Sequence, residues 1–155
     1  KGIPRNKIGI FGNSLGAATS LIAFSQEPEL AAVFVDAPFD NLAQIASEEL
    51  KREGYPQLLF YAGWVAGLIR GDNLLAHNPY EAIEKAGDRP VFVIHSKGDK
   101  RIGVHHSYQL RERAKKVGAK ATFWIMDEID HVQTAGAFPE EYRDKLVAFF
   151  RNSLK

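Results

Sequence analysis

The chain has 155 residues, with 20 Lys and Arg against 19 Asp and Glu, a net charge of +1. That balance excludes a basic nucleic-acid coat, and 45% hydrophobic residues exclude a disordered chain. With no cysteine, disulfide scaffolds, thiolate zinc sites and cysteine nucleophiles are also excluded. The length suits one domain with a core of its own. No run approaches the roughly 18 apolar residues of a membrane helix, so no membrane span is expected. No signal peptide is legible, and together with the lack of cysteine this gives a cytoplasmic expectation. The first residue is Lys1 rather than Met, which reads as a processed chain or a piece of a longer one.

Strand and helix patterns alternate, which predicts an α/β fold of three layers: a mostly parallel sheet of about four strands with helices on both faces. The first strand is predicted at Lys7–Phe11, followed by Gly12-Asn13-Ser14-Leu15-Gly16 and a small-residue helix to about Gln26. A second strand covers about Ala31–Val35 and ends at Asp36. Asp40 or Asn41 caps a helix over roughly Leu42–Glu53, which Gly54 closes. Tyr55–Arg70 is apolar nearly all round and reads either as a core helix or as part of a cap segment over about 54–78. Asn78-Pro79 opens a short helix to about Ala86, and the clearest strand is Pro90–Ser96. A charged helix over about Val104–Val117 carries a solvated basic face. A last strand, Ala121–Met126, leads into a loop with His131, and an amphipathic helix from Pro139 to about Asn152 ends the chain.

The chemistry collects where strands end. Gly12-Asn13-Ser14-Leu15-Gly16 fits G-x-S-x-G between a strand and a helix. The pattern serves a sharp turn that lifts a serine out of the sheet and sets the next N–H, that of Leu15, at a helix N-terminus. A serine hydroxyl is a weak nucleophile without a base, and His131 is the candidate base. An imidazole in turn needs a carboxylate to fix its tautomer. Asp99 follows the third strand and is the first candidate; Asp36, at the end of the second, is the rival.

These segments resemble an α/β-hydrolase from its nucleophile elbow onward, of the esterase- or peptidase-like kind. KIGIFGNSLGAATSL resembles the elbow, RPVFVIHSKGDKRIGVHHS the acid-bearing strand and loop, and IDHVQTAG the histidine loop. The resemblance implies Ser14 as nucleophile, Asp99 as acid, His131 as general base and the Leu15 N–H as one oxyanion donor. The reaction it implies is hydrolysis of a small ester or amide through an acyl-enzyme, with no cofactor. It also implies a second oxyanion donor on a loop before the elbow strand, which this chain does not carry. A cap at 54–78 would bring Phe60, Tyr61, Trp64 and Leu68 to the substrate, and Asn13 stands beside the nucleophile.

Plainer roles stand beside these. Ser14 also reads as a helix N-cap, Asp99 as a turn residue and His131 as a loop histidine. His95 reads as a structural histidine within its strand and His77 as loop. His105 and His106, at successive helical positions, point apart and are not expected to share a metal. A dinucleotide-binding module would use Asp36 as a ribose ligand, but G-x-G-x-x-G is missing. A catalytically silent scaffold is the other alternative, since the Lys7–Phe11 strand would leave an open edge to pair with a second copy or with an N-terminal half.

Overall fold

The computed structural model describes residues 2–154. Its sheet has four parallel strands, β1 (Gly9–Asn13), β2 (Ala32–Asp36), β3 (Val91–Ser96) and β4 (Ala121–Met126), in the spatial order 1-2-3-4. The helices are α1 (Leu15–Gln26), α2 (Leu42–Arg52), α3 (Leu58–Ile69), α4 (Pro79–Ala82), α5 (His105–Val117), α6 (Thr134–Ala137) and α7 (Pro139–Ser153). The three-layer α/β expectation is met.

The strand period of two sorts the core. Val33 and Val35 of β2, with Val91 and Val93 of β3, face α1, α4 and α5 and meet Leu21, Phe24 and Leu110. The alternate residues Phe34, Phe92 and Ile94 face α7 and meet Tyr142, Leu146, Phe149 and Phe150. Every residue of β2 is buried, as a central parallel strand flanked by helices requires. Phe34 anchors the second layer, stacked 4.8 Å from Phe92 and edge-on to Phe149 at 5.6 Å.

Several boundaries move. The edge strand begins at Gly9, because Arg5–Lys7 form a short 3₁₀ turn behind Pro4. The open edge is therefore Gly9–Asn13 rather than Lys7–Phe11. A four-residue helix, α6, forms within the stretch that the sequence pattern predicts as loop. The largest correction concerns α3. It forms, but it contains no buried residue, so the core-helix reading fails. Leu58, Tyr61 and Ile69 are exposed. Asn41 caps α2 as expected, its side chain accepting from the Gln44 N–H at 3.0 Å. Among the described residues no helix is long and apolar enough to cross a membrane.

Candidate active site

Ser14 stands between β1 and α1 with φ 54° and ψ −125°. Non-glycine residues rarely hold such angles, which cost about 1–3 kcal/mol and persist only where surrounding structure fixes them. Gly12 permits the turn: a Cβ there would lie 2.3 Å from the Gly16 carbonyl oxygen and 2.4 Å from Ser20 Oγ. Gly16 contributes its backbone rather than its missing side chain, since a Cβ there would meet nothing within 4 Å. The Ser14 N–H is spent on the Asp36 carbonyl at 2.9 Å, tying the turn to β2. Its side chain makes no capping bond to α1, so the N-cap reading does not account for it.

Ser14 Oγ instead lies 2.8 Å from His131 Nε2, and His131 Nδ1 lies 2.7 Å from Asp99 Oδ2. A carboxylate only accepts, so the proton sits on Nδ1 and the Nε2 lone pair receives the serine hydroxyl. Asp99 Oδ1 accepts the Arg101 N–H at 2.9 Å and the Ile102 N–H at 2.8 Å. Burial alone would raise the Asp99 pKa. The hydrogen bonds from His95, His131 and these two amides overcome it and hold the carboxyl down at about 2. Asp99 is therefore ionised at neutral pH. The Leu15 N–H, first in α1, has no acceptor within the helix.

Asp36, the rival acid, is buried at the end of β2 and makes no hydrogen bond to His131; its Oδ2 has no hydrogen-bond partner among the described residues. Desolvation pushes its pKa up to about 6, against the pull of His95 and Tyr142. Burial, and then the charge of Asp36, push the Tyr142 phenol up. His95 is structural, as expected: it is fully buried between Ser107 Oγ (2.7 Å) and the Ile102 carbonyl (2.8 Å), and its Nε2 comes within 3.4 Å of Asp99.

Three supports of the site escaped the sequence reading. Ser96 Oγ accepts the N–H groups of Gly98 at 3.0 Å and Ile129 at 2.9 Å, so one hydroxyl joins the acid loop to the histidine loop. Gly98 lets those loops touch, because a Cβ there would lie 2.8 Å from Glu128 Cα. Asp130 Oδ1 accepts the His131 N–H at 2.7 Å and the Lys100 N–H at 3.3 Å. A serine ending a strand and a Gly-Asp pair after it were the available signals, but their partners lie about thirty residues on.

A cavity of about 280 Å³ opens beside Ser14 and Leu15, walled by Phe39, Leu42, Ile45, Ala46 and Ile102, with Glu49 and Arg101 also lining it. Phe60 and Trp64 are not in its wall; Phe60 packs edge-on to Tyr61, and Trp64 Nε1 donates to Asn73 at 3.2 Å. Asn13 faces a separate, mostly apolar hollow along the open edge of β1, with Phe11, Leu15 and Thr19.

Comparison with known proteins bears on the family and the fold. The chain is 32% identical over 154 residues to YqkD of Bacillus subtilis strain 168, covering 96% of this chain and 49% of YqkD. It thus spans about half the length of that relative. An esterase of Pyrococcus furiosus superposes with a TM-score of 0.72 at 23% identity, over 96% of this chain and 54% of the esterase. An acylaminoacyl peptidase of Pyrococcus horikoshii superposes at 0.69 with 22% identity, over 97% of this chain and 25% of the peptidase. A puromycin-hydrolyzing peptidase of Mycobacterium tuberculosis reaches 0.72 at 18% identity, over 94% of this chain and 22% of the peptidase. The profile of the prolyl oligopeptidase family matches residues 2–155, and the chain therefore belongs to that family of α/β-hydrolases.

Proposed function

We propose that this chain carries the reacting residues of a serine hydrolase that cleaves carboxylic esters through an acyl-enzyme, without a cofactor. The observation that carries the reading is the continuous chain of hydrogen bonds from Ser14 through His131 to Asp99. His131 Nε2 takes the Ser14 proton as Oγ bonds to the ester carbonyl carbon. Asp99 stabilises the imidazolium, and the Leu15 N–H, at the positive end of α1, binds the oxyanion. The tetrahedral species collapses, the C–O bond to the alcohol breaks, and His131 returns the proton to the leaving oxygen. Water then attacks the acyl-Ser14 carbonyl with His131 as base, releasing the acid and restoring Ser14.

The cavity beside Ser14 has apolar walls suited to a short acyl group. A second oxyanion donor comes, in this reading, from a chain segment that covers the open edge of β1, where Phe11 is 47% exposed. That segment belongs to a second copy or to an N-terminal half, which solution mass separates. The solved neighbours include both an esterase and peptidases, so the substrate test uses matched pairs. Short-chain p-nitrophenyl esters are expected to turn over with higher kcat/KM than the corresponding anilides. Anilide hydrolysis at an equal or higher rate would move the assignment to a peptidase.

A further inference from the structure

His105 and His106 open α5, and successive helical positions should turn their side chains apart. The structure overturns that expectation. The two rings lie 4.3 Å apart between centroids, tilted by 32°. Both present Nε2 to one carboxylate on α2: His105 to Glu48 Oε1 at 3.1 Å, and His106 to Glu48 Oε2 at 3.2 Å. The three ligating atoms all lie within 4.8 Å of one another. Tetrahedral zinc, with bonds of about 2.0–2.2 Å, needs ligand atoms roughly 3.3–3.5 Å apart.

The surroundings prepare the imidazoles for such a role. His106 is fully buried, and its Nδ1 is hydrogen-bonded to the Asp40 carboxylate. Because that carboxylate only accepts, Nδ1 donates to it, and Nε2 is the ring nitrogen left to face Glu48 and to take a metal. This is the carboxylate–histidine arrangement that orients metal-bound imidazoles. His105 has its own accommodation: a Cβ on Gly103 would sit 2.5 Å from His105 Nδ1, so this ring position requires glycine. The Gln44 amide nitrogen lies 3.0 Å from Glu48 Oε1 and 3.1 Å from His105 Nε2. Among the described residues neither Asp40 nor Glu48 pairs with Lys or Arg. The His105 side chain is 47% exposed, leaving a fourth position open to water.

We infer that Glu48, His105 and His106 bind a divalent transition metal of the zinc class, with Asp40 orienting His106, and that the ion staples α2 to α5. Two nitrogens and one carboxylate oxygen suit zinc better than magnesium or calcium. The staple stands behind Leu42, Ile45 and Ala46, the α2 wall of the cavity beside Ser14, but it does not depend on the hydrolase assignment.

The test is titration of the chelator-treated full chain with Zn²⁺ by calorimetry and with Co²⁺ by visible absorption, alongside His105→Ala, Glu48→Gln and His131→Ala. His105 and Glu48 are accessible, so their variants should fold, which circular dichroism checks. The wild type and His131→Ala are expected to bind one ion per chain with the visible bands of four-coordinate cobalt. His105→Ala and Glu48→Gln are each expected to lose at least about tenfold in affinity, and to lose the rise in melting temperature that zinc gives the wild type. Absence of saturable binding by the folded chain would overturn the site. So would wild-type affinity in both α2/α5 variants, or binding that vanishes with His131→Ala instead.

Discussion

The loops at the carboxyl ends of β3 and β4 and the segment over 54–78 both lie outside the sheet, yet they are held by different physics. The strand-end loops are polar, and their hydrogen-bonding groups are spent on one another: Ser96 on two amides, Asp99 Oδ1 on two more, Asp130 on another two. They form a fixed mount for His131. The 54–78 segment contains α3, one of the most apolar stretches in the chain, and that helix buries no residue. Hydrophobicity says what a segment gains by burial; whether it is buried depends on the surface offered to it.

The largest expected effects fall on the polar loops and the serine turn. Ser14→Ala and His131→Ala should each lower ester kcat/KM by about 10⁴-fold or more with the melting temperature nearly unchanged, and Asp99→Asn should approach that loss. Phe60→Ala and Trp64→Ala should change it only a few-fold, since neither side chain walls the cavity. Steady-state kinetics on the five variants draw the contrast, and a loss at Trp64 comparable to that at His131 would erase it.

Gly98→Val should be next. Its side chain must displace the Glu128 backbone, pushing the histidine loop from the acid loop. Losses of at least tenfold in activity and about 2 kcal/mol or more in stability are expected from denaturant melts.

The two buried carboxylates should respond to pH with opposite signs. Asp99, held down at about 2, takes up fewer protons folded than unfolded between that value and the ordinary carboxylate range. Its stabilising contribution is present above about pH 4 and is lost as pH falls toward 2. Asp36, pushed up to about 6, keeps its proton in the fold after the unfolded chain has released it. It therefore makes stability fall as pH rises from about 4 to about 6, by an amount on the order of 3 kcal/mol. Asp36→Asn should flatten that slope and leave turnover nearly intact, as read from urea melts at several pH values. The smallest effect is expected on α3. Leu58→Lys and Tyr61→Ser should shift stability by no more than about 0.5 kcal/mol, and a larger destabilisation would show that the helix is packed against something in solution.

Much of this arrangement is legible in the sequence because it is written locally. Alternating Val and Phe mark β2 and β3, and the G-x-S-x-G turn declares itself between a strand and a helix. The three site residues follow from their places after strand ends. What stayed hidden depends on contacts distant in the chain. Ser96 and Gly98 matter because residues 128 and 129 return to meet them. His105 and His106 converge because Glu48, from another helix, supplies one carboxylate for both rings, which helical spacing alone cannot reveal. The exposure of α3 was equally unreadable, because periodicity describes a helix and not its neighbours.

The most direct test of the central claim is intact mass after incubation with a fluorophosphonate, with Ser14→Ala and His131→Ala measured beside the wild type. The geometry predicts a single adduct on the wild type, none on Ser14→Ala, and one formed far more slowly on His131→Ala. A folded wild-type chain that takes no adduct, or a Ser14→Ala chain that takes one as fast as the wild type, would contradict an activated serine at this turn.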